Sequence, residues 1–225
     1  MANRTEKRFP GIVRICQNLF RFQQRKSGNP GGRVQDVEQN AMSNPKLYVI
    51  AAPSGAGKTT LVRALLAHNP ELRFSISYTT RDKRSNEADS VDYVFVTEKE
   101  FFALRENGAL LESAEIFGNH YGTSREQVEE HLRSGHSVIL EIDWQGAEQV
   151  RESMPECVTV FILPPSIGEL ERRLRDRGTD TGGAIDRRLG DARADMEHAS
   201  DFDHVITNDD LDKAIAELKA IVKPL

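Results

Sequence analysis

Short apolar runs recur along the chain, and segments of helical character lie between them. The runs span Leu47–Ala52, Ser137–Ile142, Val158–Leu163 and His204–Thr207. None shows the clean alternation of apolar and polar residues expected of a strand with one face in water, so each is predicted to be buried on both faces. Buried strands that alternate with helices are typical of an α/β fold, in which helices cover both faces of a central parallel sheet.

The helical segments carry recognisable start and stop signals. Thr97–Glu100 and Ser166–Glu169 both have the spacing of a capping box, and each precedes a stretch of apolar residues with helical period. Gly108 and Gly178 stand where those two helices should end. Near the C-terminus, residues with helical spacing predict one buried helix face: Leu211, Ile215, Leu218 and Val222.

At 225 residues the chain is long enough for one domain with a mobile insertion or two. Its net charge of −5 conceals an asymmetry, since residues 1–41 carry a net charge of +5 and residues 42–225 a net charge of −10. An acidic body is a poor general binder of nucleic acid, because affinity for a duplex rests on many contacts between Lys or Arg and phosphate. An anionic ligand must therefore meet arginines that are locally concentrated.

Residues 1–44 differ from the rest and are predicted to be a basic, flexible extension with a spacer at Ser27–Gly32. The segment Phe9–Phe22 has the pattern of a basic amphipathic helix, which would dock on a surface or serve as a targeting peptide. The alternatives are a disordered tail or residues that are not normally translated, since Met42 stands where an ordinary start would fall.

Cysteine usage and hydropathy bear on the cellular location. Cys16 and Cys157 are far apart and match no metal or redox spacing, which predicts a reducing, cytoplasmic environment. No apolar run approaches the roughly 18 residues of a membrane span, so no membrane partner is expected.

The residues after the first apolar run have the composition of a phosphate-binding loop between a strand and a helix. Successive backbone N–H groups of such a loop converge on phosphate oxygens, and the N-terminus of the helix adds to that field. Lys58 would reach the β- and γ-phosphates, and the Thr59 hydroxyl would bind Mg²⁺. Ala52 departs from the strict motif, which has a glycine there. The predicted ATP-binding residues are Ala52, Pro53, Ser54, Gly55, Ala56, Gly57, Lys58, Thr59 and Thr60.

Phosphoryl transfer also needs a second anion site and a mobile basic segment, and the sequence offers candidates for both. Arg81 and Arg84 lie three residues apart in a polar loop, where they can clamp a phosphate bidentately. Residues 76–124 also include a β-type run, Val91–Val96, and arginine dominates residues 169–188. We expect an acceptor-binding insertion in the first segment and a closing lid in the second.

Five further motifs follow the phosphate-binding loop and the arginine pair along the chain: Val91-Asp92-Tyr93, Leu111-Glu112, Gly118–Ser124, Glu141–Gly146 and Phe161–Ser166. With these motifs in this order, the chain resembles the guanylate kinases from about Lys46 to its C-terminus. The resemblance, closest to the bacterial type, implies phosphorylation of GMP to GDP by ATP with Mg²⁺. It also implies a P-loop three-layer fold with a central parallel sheet, a mixed α/β GMP-binding insertion and a helical lid.

The same resemblance divides the chain into the extension, 1–44, and a kinase domain, 45–225. Within that domain it implies a core of residues 45–75, 125–168 and 189–225, a GMP-binding segment of residues 76–124 and a lid of residues 169–188.

The family's GMP site maps onto residues of the insertion and of the next strand end. The resemblance implies that Glu112 accepts hydrogen bonds from guanine N1–H and the exocyclic amine, and that Thr123 donates to the guanine O6. Ser77 would help to fix the base, and Asp143 would face the acceptor nucleotide. The remaining residues would hold the GMP phosphate: Arg81, Arg84, Tyr93 and Tyr121.

The resemblance also assigns the residues that would act on the transferred phosphoryl group. The implied catalytic residues are Lys58, Arg81 and three lid arginines: Arg173, Arg177 and Arg188. Asn208 matches a residue near the adenine, although it could equally cap a helix. The contribution of Glu141 to the Mg²⁺ site is open. Gly182 and Gly183 stand where the family has acidic residues, which implies a looser lid.

Three other functions compete with this one. A catalytically inactive guanylate-kinase-like scaffold would bind proteins, but such modules lose the phosphate loop that this sequence retains. A related P-loop kinase would act on another small phosphorylated acceptor. The presence of Glu112, Tyr121 and Thr123 argues against this alternative, because these residues favour guanine. A regulatory nucleic-acid contact through the basic extension is a third possibility. The expected partners are ATP and GMP, with neither nucleic acid nor membrane, for a monomer or homo-oligomer.

Overall fold

The computed structural model describes residues 44–85, 87–176 and 182–223. Arg177 and Gly178 lie outside the described residues, as does the N-terminal extension up to residue 43. The strands are β1 (Leu47–Ala51), β2 (Arg73–Phe74), β3 (Tyr78–Thr79), β4 (Val94–Phe95), β5 (Leu110–Ile116), β6 (Asn119–Ser124), β7 (Val138–Ile142), β8 (Val158–Leu163) and β9 (His204–Thr207). The helices are α1 (Lys58–His68), α2 (Glu98–Glu106), α3 (Arg125–Arg133), α4 (Trp144–Ser153), α5 (Ile167–Asp176), α6 (Gly182–Glu197) and α7 (Leu211–Ile221), with a 3₁₀ turn over His198–Asp201.

The central sheet is parallel throughout and has the strand order β2–β7–β1–β8–β9. Alternate residues of β1 pack into different layers: Tyr48 and Ile50 contribute to the cluster with α1 and α7, whereas Leu47 and Val49 contribute to the cluster with α3 and α4. Both faces of the sheet are therefore covered. This confirms the predicted α/β architecture and the positions of the four strands, with ends shifted by at most one residue. Strands β1, β7 and β8 are buried as predicted. The prediction was wrong for β9, which lies at the edge of the sheet and buries only Ile206.

A second, smaller sheet has the strand order β4–β3–β6–β5 and carries α2, so the insertion is mixed α/β as predicted. Within the run Val91–Val96, only Val94–Phe95 forms a strand. The prediction of a longer strand was wrong because Asp92 accepts a hydrogen bond from the Ala88 backbone N–H and Ser90 adopts a positive φ of 60°. These features close a turn ahead of β4.

The two capping boxes have different outcomes. At α2 the box is complete, because Thr97 accepts from the Glu100 N–H and the Glu100 carboxylate accepts from the Thr97 N–H. At α5 only half of it forms: Ser166 accepts from the backbone N–H of Glu169, whose carboxylate binds arginines of the next turn instead. Two guanidinium groups offer that carboxylate stronger hydrogen bonds than one backbone N–H does.

The C-terminal helix α7 buries a slightly different face from the predicted one. Leu218 and Val222 are fully buried and Ile215 packs at the edge of the same cluster, but Leu211 is 43% exposed. Leu211 is the first residue of the helix, directly after the N-cap Asp210, and Ala214 takes the buried position in that turn. No helix in the described part of the chain is long and apolar enough to cross a membrane.

We expect replacement of Thr97 by alanine to lower the free energy of unfolding by about 1 kcal/mol, because it removes the side-chain acceptor for an N–H of the first turn of α2. Urea unfolding would measure the change. Thr97→Ser keeps the hydroxyl and should stay close to the wild type. Equal losses in the two variants would contradict a role for the cap.

Candidate active site

The predicted phosphate-binding loop lies between the end of β1 and the start of α1, at the carboxyl edge of the central sheet. Gly55 and Gly57 adopt positive φ angles of 95° and 98°. A Cβ at Gly57 would also collide with the side-chain amide nitrogen of Asn208. No side chain caps α1, so its first N–H groups are left for a ligand to satisfy.

Asn208 follows β9, is buried, and donates from Nδ2 to the Ala56 carbonyl at 2.7 Å. The cap of α7 is Asp210, which accepts from the Lys213 N–H. Of the two alternatives for Asn208, the helix cap is therefore wrong. Its side chain instead fixes the phosphate-binding loop through the hydrogen bond to the Ala56 carbonyl.

Lys58 and Thr59, the first residues of α1, both contact the end of β7. The Lys58 ammonium donates to the Ile142 carbonyl at 2.6 Å, and the Thr59 hydroxyl donates to Glu141 Oε1. A hydroxyl and a carboxylate are oxygen donors of the kind that Mg²⁺ accepts, usually together with waters and substrate phosphates. No cluster of three or more His, Cys, Asp or Glu among the described residues forms a complete metal cage.

Glu112 is the most deeply buried of the predicted charged site residues, with 4% of its surface exposed. Thr123 donates to its Oε1 at 2.7 Å. Burial raises the pKa of Glu112 to about 7, and the nearby Asp143 charge adds to that rise, against the Thr123 hydrogen bond. Its surroundings therefore favour the protonated carboxyl group more than water does.

Gly146, in the first turn of α4, lies against this carboxyl group. A Cβ at that position would stand 2.6 Å from Glu112 Oε2 and 3.2 Å from Asp143 Oδ1. Asp143 is the N-cap of α4 and accepts from the Gly146 N–H at 2.8 Å. Glu112 thus reaches the helix start only because the residue there is glycine.

On the other side of the insertion, Arg81 forms a bidentate ion pair with Glu87, at 3.0 and 2.9 Å. Its guanidinium lies 5.3 Å from the centre of the Tyr93 ring, which packs against the Tyr121 ring with 6.0 Å between the ring centres. Arg84 is looser: its backbone N–H donates to Glu87, but its side chain is 64% exposed. The structure brings Arg81 and both tyrosines together and leaves the Arg84 side chain at the rim.

Ser77 is half-buried directly before β3, and its backbone carbonyl accepts from the Val94 N–H at 2.9 Å. This bond joins Ser77 to the edge of the small sheet, whose neighbouring strands carry Glu112 and Thr123.

Arg173 extends from α5 towards the phosphate-binding loop. Its guanidinium donates to Glu169, to the Asn208 carbonyl at 3.1 Å and to the Ala56 carbonyl at 3.4 Å. Leu170 of the same helix lies so near the loop that its Cδ1 would be 2.9 Å from a Cβ at Gly55. The first lid helix is thereby packed directly on the loop.

Arg188 is carried by α6, and its guanidinium lies 5.7 Å from the centre of the Phe117 ring at the tip of the β5–β6 hairpin. The two lid helices pack on each other through Leu170 and Leu174 of α5 and three residues of α6: Ile185, Leu189 and Ala192. Arg177, the third predicted lid arginine, lies outside the described residues.

Two residues of this site escaped the sequence analysis. Glu87 gives no signal of its own, since an acid among arginines in a loop is commonplace. Gly146 does give one: a glycine near the start of an amphipathic helix costs stability relative to alanine, and it therefore points to a close approach.

Comparisons with known proteins agree with this arrangement. The model of the guanylate kinase family matches residues 44–225. The guanylate kinase of Alkalilimnicola ehrlichii is 54% identical over 175 residues, which are 78% of this chain and 86% of that protein. The guanylate kinase of Pseudomonas fluorescens strain Pf0-1 is 51% identical over 181 residues, or 80% and 88% of the two chains.

A solved structure adds the same result for the fold. The crystal structure of guanylate kinase from Anaplasma phagocytophilum matches with a TM-score of 0.67 at 36% identity, and the match covers 80% of this chain and 85% of that one. Sequence and architecture together show that this chain belongs to the guanylate kinase family.

Proposed function

We propose a division of roles among the described residues for the reaction ATP + GMP → ADP + GDP, the reaction of this family. The chain is a nucleoside monophosphate kinase that transfers a phosphoryl group from ATP to GMP. The observation that carries the assignment of roles is the buried carboxyl group of Glu112, held by Thr123 beside the start of α4. Guanine presents two adjacent N–H donors on one edge, and adenine does not. Without these donors the buried carboxylate keeps only the hydrogen bond from Thr123, and this loss discriminates strongly between the bases.

We propose that Arg81, Tyr93 and Tyr121 hold the phosphate of GMP, with Arg84 closing from the rim. The ion pair with Glu87 keeps the Arg81 guanidinium against the Tyr93 ring and so supports this role. Ser77 and Asp143 would contact GMP from the sheet edge and from the start of α4. These contacts orient the acceptor phosphate, which is already a nucleophile, so the reaction needs no general base.

On the donor side, the loop of residues 52–59 with Thr60 and Asn208 would bind ATP, and Lys58 would leave the Ile142 carbonyl for the β- and γ-phosphates. Thr59 and Glu141 fit Mg²⁺ and would hold it, and the ion would supply positive charge that neutralises the phosphates. Arg173, Arg177 and Arg188 would neutralise the transferred group as the lid closes and excludes water. The scaffold function is disfavoured because each of these groups is present.

A cytoplasmic location, and a monomer or homo-oligomer that works without nucleic-acid or membrane partners, stay predictions. Gel filtration of the full chain would measure the oligomeric state. The looser lid expected from Gly182 and Gly183, at the start of α6, also stays a prediction.

We expect a coupled assay with Mg²⁺ and ATP to give turnover with GMP and little with AMP or UMP. Glu112→Gln should raise the KM for GMP about 100-fold, because the amide turns an N–H towards a guanine N–H and an unmatched buried pair costs about 1–3 kcal/mol. Glu115→Gln, an exposed neighbour on the same strand, is the matched control. If AMP served as well as GMP, the role of Glu112 would be wrong.

The raised pKa of Glu112 predicts a pH dependence. Only the ionised carboxylate accepts both guanine donors, so kcat/KM for GMP should rise as the pH increases through about 7. This step should be absent in Glu112→Gln, whereas titration of the substrate phosphate persists in both proteins. An identical profile in the variant would contradict ionisation of Glu112 as the cause.

Gly146→Ala should raise the KM for GMP at least tenfold, because the new Cβ displaces Glu112 Oε2 from the start of α4. The KM for ATP should stay within about twofold, and thermal unfolding should show a folded protein, since alanine is the better helix former. Gly190→Ala on α6 is the control, as nothing lies within 4 Å of its added Cβ.

The proposed Mg²⁺ site predicts that Thr59→Ala needs a higher Mg²⁺ concentration for half-maximal activity, by about an order of magnitude. Thr59→Ser retains the hydroxyl and should behave as the wild type. Titration of activity with Mg²⁺ at a fixed ATP concentration measures the shift. Equal Mg²⁺ requirements in all three proteins would remove Thr59 from the site.

A further inference from the structure

The helix α6 is held to the protein core at its far end by a small polar and aromatic cluster. Trp144, the first residue of α4, donates from its indole Nε1 to Asp195 Oδ1 at 3.1 Å. The indole also stacks on the ring of His198, with a centroid distance of 3.5 Å and an angle of 10° between the rings. His198 begins the 3₁₀ turn that follows α6, so both contacts join the end of this helix to the start of α4.

The spacing along α6 relates this cluster to the site. Arg188 and Asp195 are seven residues apart, which is about two helical turns, so they lie on nearly the same face about 10 Å apart. The face beside it, with Leu189 and Ala192, packs on α5. A rotation of α6 about its axis would therefore move Asp195 away from Trp144 and turn Arg188 away from Phe117 together.

Asp195 carries a charge at a cost. Burial raises its pKa to about 6, and the negative charges of Asp143 and Asp191 act in the same direction, against the Trp144 hydrogen bond and the nearby His198. Above about pH 6, an uncharged residue at position 195 would reduce the free energy of unfolding less than the ionised aspartate does.

We propose that Asp195 is a positioning residue: its hydrogen bond to Trp144 fixes the rotation of α6 against α4 and thereby directs Arg188 to the transferred phosphoryl group. The proposal rests on the proposed role of Arg188. Loss of this hydrogen bond should affect the closed, reacting complex, because the Arg188 guanidinium would meet the charge of the transferred phosphoryl group there. Loss of the bond should accordingly lower kcat and leave the KM for GMP nearly unchanged.

The first experiment compares steady-state kinetics of Asp195→Ala, Asp195→Asn and Asp191→Ala. We expect a kcat about tenfold lower in Asp195→Ala, with the KM for GMP within twofold. Asp195→Asn should recover at least half of the kcat, because its amide oxygen still accepts from the indole. Asp191→Ala removes the same charge from an exposed position one turn earlier and should match the wild type. Equal kcat values in the alanine variants and the wild type would overturn the proposal.

The second measurement follows the contact itself. Trp144 is the single tryptophan of the chain, so its fluorescence reports on this cluster alone. Acrylamide quenching should be at least twofold stronger in Asp195→Ala than in the wild type or in Asp191→Ala. Quenching that is unchanged while kcat falls would mean that Asp195 acts through some other contact, and would overturn the role of Trp144.

A double-mutant cycle separates this inference from the assignment of Arg188. Trp144→Phe should lower kcat as much as Asp195→Ala does, and the double variant should be no slower than either single variant. Additive losses would contradict a shared hydrogen bond. If Arg188→Ala retained full kcat while the cycle behaved as expected, the assigned role of Arg188 would be wrong and the hold of Asp195 on α6 would stand. Melting temperatures of all variants identify any that fail to fold. If Asp195→Ala is one of them, Trp144→Phe carries the test, because it removes the donor of the same hydrogen bond.

Discussion

The carbonyl oxygen of Ala56 accepts hydrogen bonds from two side chains that come from distant parts of the chain. Asn208 arrives from the end of β9 and Arg173 from the lid helix α5. Because both donors meet one oxygen in the middle of the phosphate-binding loop, the loop is fixed before any nucleotide binds. Its N–H groups and the open start of α1 need little rearrangement during the reaction, which is the condition for strong electrostatic stabilisation.

At the other end of the site, the buried carboxyl group of Glu112 lowers the stability of the fold instead of adding to it. The pKa of Glu112 in the folded protein lies well above its value in an unfolded chain. Between those two values the unfolded chain releases the proton while the folded protein retains it, so this residue makes the fold less stable as the pH rises. The protein gives up stability for this carboxylate, which is the group proposed to accept the two N–H donors of guanine.

Local patterns along the sequence were sufficient for the framework of the protein. Continuous apolar runs predicted the buried strands, and the Thr97 capping box was correct because both of its hydrogen bonds form within four residues. The family resemblance supplied the candidates for the site. What no local pattern identified were the partners in three contacts: Glu87 with Arg81, Gly146 against Glu112, and Trp144 with Asp195. Leu211 was mispredicted because its helical spacing is right but it is the first residue of α7, where its side chain stays 43% exposed.

The absence of a side chain at Gly146 limits how the specificity of this protein can evolve. Every other amino acid carries a Cβ, so any missense mutation of this codon places an atom against Glu112. A larger residue at position 146 therefore becomes compatible with this packing only when the Glu112 side chain has been shortened or moved. The two positions are coupled through the closeness of the α4 start to one carboxylate oxygen, and a change at Glu112 would have to come first.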